Sequence, residues 1–196
     1  MSNNFIQLKI PNAEVYYLPN FYSAEQSITY FNQLLNDIAW QQDVIKIFGK
    51  EIPIPRLQAF YGDDGLSYKY SNIKLNATKW NDLLLKIKTD IEQQISTKLN
   101  SVLLNLYRDG NDSNGWHADD EPSLGKNPTI ASLSFGSNRY FKLKHKKNKE
   151  QQVKIELQNG SLLIMKGTTQ HFWYHQIAKT KKVLKPRINL TYRCIV

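Results

Sequence analysis

The chain has 196 residues, a formal net charge of +9 and one cysteine, Cys194. A single cysteine rules out an intramolecular disulfide, and this length buries enough core to fold as one domain without a structural metal. No segment is long and apolar enough for a membrane helix, and Met1–Pro11 lacks a signal-peptide core, so an intracellular protein is expected. That means cytoplasmic if the source is bacterial and nuclear if it is eukaryotic. The basic balance with many aromatics suits polyanion binding.

In chain order, Ser23-Ala24-Glu25-Gln26 reads as a capping box opening a helix. Ile28, Phe31, Leu35 and Ile38 follow at helical spacing. A Pro- and Gly-punctuated stretch from Gly49 to Gly65 reads as hairpins and loops, with aromatics at Phe48, Phe60, Tyr61, Tyr68 and Tyr70. A second helix is expected to start near Asn76 or Thr78, with Trp80, Leu83, Leu84, Ile87, Ile91, Ile95 and Leu99 as its apolar stripe. Strands are then predicted at Val102–Tyr107, Thr129–Phe135, Tyr140–Lys144, Val153–Leu157, Ser161–Met165 and Ile188–Cys194. Asn159-Gly160 carries a hairpin signal. The fold class expected is α+β, a double-stranded β-helix (jelly-roll) core buttressed by N-terminal helices. Residues 1–100 supply helices and nucleotide-recognition hairpins, and 101–196 the jelly roll.

Two constellations carry chemistry. His117-Ala118-Asp119 places an imidazole and a carboxylate on one strand face, and a later histidine would complete a two-histidine, one-carboxylate metal site. Spacing alone does not choose between His171 and His175. Arg187-Ile188-Asn189-Leu190-Thr191-Tyr192-Arg193 alternates with period two, so Arg187, Asn189, Thr191 and Arg193 share a face. Buried arginines call for anions, and a small dicarboxylate fits. A solvated edge strand is the plain alternative. The two constellations together describe a 2-oxoglutarate site beside Fe(II).

The residues resemble the AlkB family, in particular its duplex DNA-repair branch, from about Ile47 to Val196. The resemblance rests on Ile47-Phe48-Gly49-Lys50, Pro55 to Asp63, Leu66-Ser67-Tyr68, Asn105-Leu106-Tyr107, His117 to Glu121, Ala131 to Gly136, Trp173-Tyr174-His175 and Pro186 to Arg193. It implies Fe(II) held by His117, Asp119 and His175, with His171 a neighbour. It implies 2-oxoglutarate held by Asn105, Tyr107, Arg187, Asn189, Thr191 and Arg193, with O2 as the oxidant. It implies a substrate face of Tyr68 against a flipped base, Asp120 and Glu121 near the base's charge, and Phe48 filling the vacated stack. Arg56 either contacts DNA or pairs locally. Lys142, Lys144, Lys146, Lys147 and Lys149 could supply phosphate contacts. The implied activity is oxidative demethylation of 1-methyladenine or 3-methylcytosine in DNA, with formaldehyde release. An RNA demethylase, a protein hydroxylase of the same fold and a non-catalytic nucleic-acid-binding relative are the rivals. A monomer is expected, since no oligomer interface is legible.

Overall fold

The computed structural model describes residues 5–47, 49–70, 73–182 and 184–196. Two short strands come first, β1 (Ile6–Leu8) and β2 (Glu14–Leu18), followed by helix α1 (Ala24–Asp37). Strands β3 (Val44–Ile47) and β4 (Lys50–Pro53) form one hairpin; β5 (Leu57–Gly62) follows. Strands β6 (Ser67–Tyr70) and β7 (Ile73–Asn76) form a second hairpin, then come β8 (Thr78–Lys79) and helix α2 (Asp82–Ile95). The remainder is β9 (Ser101–Tyr107), β10 (Asn114–His117), a 3-10 turn at Pro122–Leu124, β11 (Ile130–Gly136) and β12 (Arg139–His145). It ends with β13 (Gln152–Leu157), β14 (Ser161–Lys166), the helical turn α3 (Thr169–Phe172), β15 (Trp173–Ile177) and β16 (Arg187–Arg193).

An eight-stranded sheet runs β1-β2-β14-β11-β16-β9-β5-β8, and a four-stranded sheet runs β10-β15-β12-β13. They face each other across Leu103, Leu163 and Met165 from the large sheet and Leu143, Trp173 and Ile177 from the small one. The far side of the large sheet packs on the helices through Leu84, Ile87 and Ile91 against Leu104, Leu190 and Tyr192. The Tyr192 hydroxyl donates to the Leu84 carbonyl at 2.9 Å, pinning α2 to β16. This is the expected jelly roll with buttressing helices. Among the described residues no helix is long and apolar enough to cross a membrane.

Each of the six predicted strands is present, within a residue or so of its expected ends. Several other expectations are corrected. Strands come before the first helix, because Tyr16 and Tyr17 pair with Ile164 and Leu163 and extend the large sheet. The capping box on Ser23 and Gln26 forms, but Ile28 is 58% exposed. Ser27 takes the inward position instead, with its hydroxyl donating to the Ser23 carbonyl. Helix α2 starts at Asp82 rather than near Asn76, because the Asn81 side chain accepts from the Leu84 amide, while β7 and β8 claim the residues before it. Trp80 and Leu99 therefore lie outside the helix, although both pack on its core.

Asn159-Gly160 does not close a hairpin. Strand β13 pairs with β12 in one sheet, and β14 pairs with β11 and β2 in the other, so this turn crosses between sheets. The Ser161 amide donates to the Gln158 carbonyl, and only Gly160 has positive φ, +74°. A two-residue hairpin of the favoured type needs positive φ at both central residues. A Cβ on Gly160 would also collide with Ser27 Oγ and lie 2.8 Å from the Tyr22 carbonyl, whereas Gly65 (φ +80°) has nothing within 4 Å of its would-be Cβ. Gly160→Ala should therefore lose about 2–5 kcal/mol, combining backbone strain with overpacking, and Gly65→Ala only the ~1–2 kcal/mol of strain. Urea unfolding of the two variants tests this; equal losses would mean that α1 yields to the added methyl group.

Candidate functional site

The antiparallel register that pairs β10 with β15 sets His117 directly opposite His175. Their ring centres are 4.2 Å apart. Asp119 lies two residues past His117, its Oδ1 3.8 Å from His117 Nε2. Ligand atoms of His117, Asp119 and His175 all lie within 4.8 Å of one another, close enough to share one ion. Two imidazoles and a carboxylate suit a divalent first-row metal such as Fe(II), and three protein ligands leave coordination positions open.

Each ligand is held by a neighbour. His117 Nδ1 lies 2.8 Å from the Gly115 carbonyl, which can only accept, so the proton sits on Nδ1 and Nε2 offers its lone pair. His175 is buried and stacks on Phe141 with ring centres 5.2 Å apart. Burial, then the neighbouring His117, pushes its pKa down to about 3, so it stands as the neutral imidazole that metals take. Burial would raise the Asp119 pKa, but the Arg193 guanidinium beside it outweighs that and holds the carboxyl below its usual range. Arg193 Nη2 is 3.2 Å from Asp119 Oδ2, and the Asp119 amide donates to Gln170 Oε1 at 2.9 Å.

Strand β16 is central rather than a solvated edge, lying between β11 and β9, and all seven of its residues are buried. Its apolar residues face the helices, while Arg187, Asn189, Thr191 and Arg193 line a cavity of about 180 Å³ that also contains the three candidate ligands. Asn105 and Tyr107 line the same cavity. Asn105 Oδ1 accepts from Arg56 Nε and Gln58 Nε2, and the Tyr107 ring lies 5.2 Å below the Arg187 guanidinium. Asn189 Nδ2 donates to Ser132 Oγ and the Leu133 carbonyl.

Arg187 is the informative group. It is 1% exposed. Nη2 donates to Ser134 Oγ, but Nε and Nη1 have no hydrogen-bond partner among the described residues. Burial pulls its pKa down to about 10, yet it remains a cation. A buried guanidinium with unused donors fits a carboxylate, which pairs Nη2 with either Nη1 or Nε on one edge of the planar group.

The other expected residues are placed unevenly. Tyr68 is 2% exposed, lines the cavity and lies 5.0 Å beneath the Arg193 guanidinium. Glu121 also lines the cavity; burial and then Asp119 raise its pKa, and its Oε2 is buried without a hydrogen-bond partner among the described residues. Arg56 is buried in the cavity wall, donating to Asn105 and to the Ser113 carbonyl. Asp120 is outside the cavity lining and pairs with Lys146 at 2.9 Å. Phe48 lies outside the described residues. His171 sits in α3, away from the triad, with Nε2 2.8 Å from Asn127 Oδ1.

Sequence reasoning missed Gln170, Ser132, Ser134 and Arg139. Two serines at period two in an otherwise apolar strand were the available signal for the middle pair. Arg139 is buried, donates to the carbonyls of Asp109, Asp112 and Ala178, and lies 5.6 Å from the Tyr107 ring. Nothing local announces such a contact.

Residues 14–193 match the 2OG-Fe(II) oxygenase superfamily. The chain is 41% identical over 186 residues to the alpha-ketoglutarate-dependent dioxygenase alkB homolog 3 of Bos taurus, covering 90% of this chain and 64% of that protein. It therefore spans less than two thirds of that relative's length. It is 37% identical over 183 residues to the DNA oxidative demethylase ALKBH2 of Mus musculus, covering 90% of this chain and 74% of that protein. The solved structure of OsALKBH1 superposes with a TM-score of 0.70 at 16% identity, covering 97% of this chain and 99% of that one, which speaks to the fold. With the His-Asp-His cluster and the arginine-bearing strand set into one cavity of that fold, the chain belongs to the AlkB family of 2OG-Fe(II) oxygenases.

Proposed function

We propose that this protein is an Fe(II)- and 2-oxoglutarate-dependent dioxygenase that removes alkyl groups from damaged nucleic-acid bases. The observation that carries it is the unsatisfied guanidinium of Arg187 in the cavity that also contains His117, Asp119 and His175. The three ligands hold Fe(II); Asn105, Tyr107, Arg187, Asn189, Thr191 and Arg193 hold 2-oxoglutarate. The bound metal, cosubstrate and O2 supply the oxidation, in which 2-oxoglutarate becomes succinate and CO2 and a methyl group leaves as formaldehyde.

The chain's own residues do the positioning. Arg193 keeps Asp119 ionised and turned toward the histidines. The Gly115 carbonyl and Phe141 fix the two imidazole planes. Tyr68 offers a ring face to a base swung out of its stack, and Glu121 offers the carboxylate that a cationic base such as 1-methyladenine or 3-methylcytosine lacks in water. Arg56, through Asn105, supports the wall between base and cosubstrate. Asp120, paired with Lys146 outside the cavity lining, stands nearer the flanking nucleic acid. The two relatives above carry the names of a dioxygenase and a DNA oxidative demethylase, which supports the reading.

Formaldehyde and succinate should both form when the Fe(II)-loaded protein meets 2-oxoglutarate, air and a 1-methyladenine oligonucleotide, offered as DNA and as RNA in parallel. His175→Ala should abolish both products. Succinate without formaldehyde on either strand would sink the base-repair reading and leave the cofactor reading standing. Arg187→Met should raise the KM for 2-oxoglutarate by about 30-fold or more, the scale of losing a buried charged pair, with Arg187→Lys between the two. An unchanged KM would place the cosubstrate elsewhere. Glu121→Gln should raise the KM for the methylated strand about tenfold, one charge contact, without moving that for 2-oxoglutarate; equal KM values for mutant and parent would remove Glu121 from the substrate face.

A further inference from the structure

Strands β10, β15 and β12 carry the metal-site residues on one face only, and the opposite face has a pattern of its own. His117, His175, Leu143 and Phe141 point into the cavity and core. Alternation sends Trp116, Tyr174, Lys144 and Lys142 outward. Trp116 is 37% exposed, Tyr174 36% and, further along β12, Tyr140 41%. Isolated exposed aromatics are ordinary. These three share one sheet face and are interleaved with lysines. Lys144 Nζ lies 4.4 Å from the Trp116 ring centre and 5.8 Å from that of Tyr174. Lys146 Nζ is 4.9 Å from Tyr174, and Lys154 Nζ is 3.5 Å from Tyr140.

The register assembles this array. Lys144 pairs with Tyr174, and Lys142 pairs with Gln176 on one side and Lys154 on the other. Lys146 is engaged by Asp120, and Glu156 stands across from Tyr140. Lys142, Lys144 and Lys154 leave the face cationic. Exposed cation–π contacts are weak, so a stacking base can displace an ammonium from a ring and leave it to meet the adjoining phosphate. A sheet face of aromatics and lysines is the chemistry of a single strand with unstacked bases, whereas a duplex keeps its base faces covered.

The position adds continuity. Trp116 immediately precedes His117, and Tyr174 immediately precedes His175, so the rings lie on the reverse of the metal-bearing strands. Strand β10 is the edge of its sheet. A chain leaving the cavity has to pass one strand, a width of about 5 Å, to reach Trp116.

We propose that Trp116 and Tyr174, with Lys142 and Lys144, form a binding track for single-stranded nucleic acid on the outer face of the small sheet. It extends the nucleic-acid reading above to the nucleotides that flank the base in the cavity. It gives the protein a hold on unmodified single strands that does not depend on a lesion.

The test is fluorescence anisotropy of the full chain with a labelled, unmodified oligothymidylate of about 20 nucleotides, a few times the footprint of a stacking platform. The Trp116→Ala, Tyr174→Ala double variant should bind it about tenfold or more weakly, and the Trp116→Phe, Tyr174→Phe variant, which keeps the ring faces, should restore most of that loss. Lys142→Gln with Lys144→Gln should lower the slope of log affinity against log salt by about 1.4, two single-strand phosphate contacts. A matched duplex should lose far less in the alanine variant. Unchanged strand affinity in that variant, an equal loss on duplex, or phenylalanines that rescue nothing would each overturn the track. Formaldehyde release by the parent protein is measured separately. Strand binding lost as expected without any formaldehyde overturns the repair reading alone, and formaldehyde with unaltered strand binding overturns the track alone.

Discussion

Two guanidinium groups are taken out of water on the central strand β16, and the rest of the site answers to that cost. A cation in a protein interior needs a negative partner at hydrogen-bonding distance. Arg193 has Asp119. Arg187 has the Ser134 hydroxyl and the neighbouring Tyr107, and no carboxylate pairs with it among the described residues. The first pairing orients a carboxylate toward two histidines, and the second leaves two guanidinium nitrogens without a hydrogen-bond partner among the described residues. One strand thus ties the His-Asp-His cluster to the Arg187 end of the cavity, because Arg187 and Arg193 sit at its two ends on one face of the same backbone.

That strand is held in place by what lies on either side. Strand β9 pairs with it from Arg187 to Arg193, and β11 from Arg187 to Tyr192. Its opposite face is locked to the helices by Ile188, Leu190 and Tyr192. The second sheet brings His117 and His175 across as register partners, so the ligand set is assembled from a pairing pattern rather than from a flexible loop. Asp119, past the end of β10, is steadied by Gln170 from α3.

The metal and anion groups were legible because both follow local rules. H-x-D and the alternation of Arg187, Asn189, Thr191 and Arg193 are period-two patterns; the arginine strand keeps its period, while Asp119 reaches His117 from just past the end of β10. What was not legible depended on partners distant in the chain. Nothing in Tyr16-Tyr17 announces pairing with Ile164 and Leu163. Asn159-Gly160 forms its turn as its composition suggests, but which sheets the turn joins is decided by β12 and β2, far from it in sequence. Asn81 captured the start of α2 through one side-chain bond, against an apolar stripe that runs past it in both directions. The choice of His175 over His171 was open to spacing, and the short helical turn that removes His171 from the strand settles which of them faces His117.

The place of β16 in the sheet also governs how the protein is made. Its neighbours β9 and β11 come off the ribosome well before it, and each has an unfilled edge until residues 187–193 arrive between them. Synthesis delivers residues in sequence, at roughly 5–20 per second, so several seconds pass with the gap open. During that interval His117 and Asp119 exist, but the arginine that orients Asp119 does not. A nascent or partly unfolded chain therefore lacks both the arginine that pairs with Asp119 and the buried Arg187 of the cavity. On the function proposed above, the chemistry of the site becomes available only with the finished sheet.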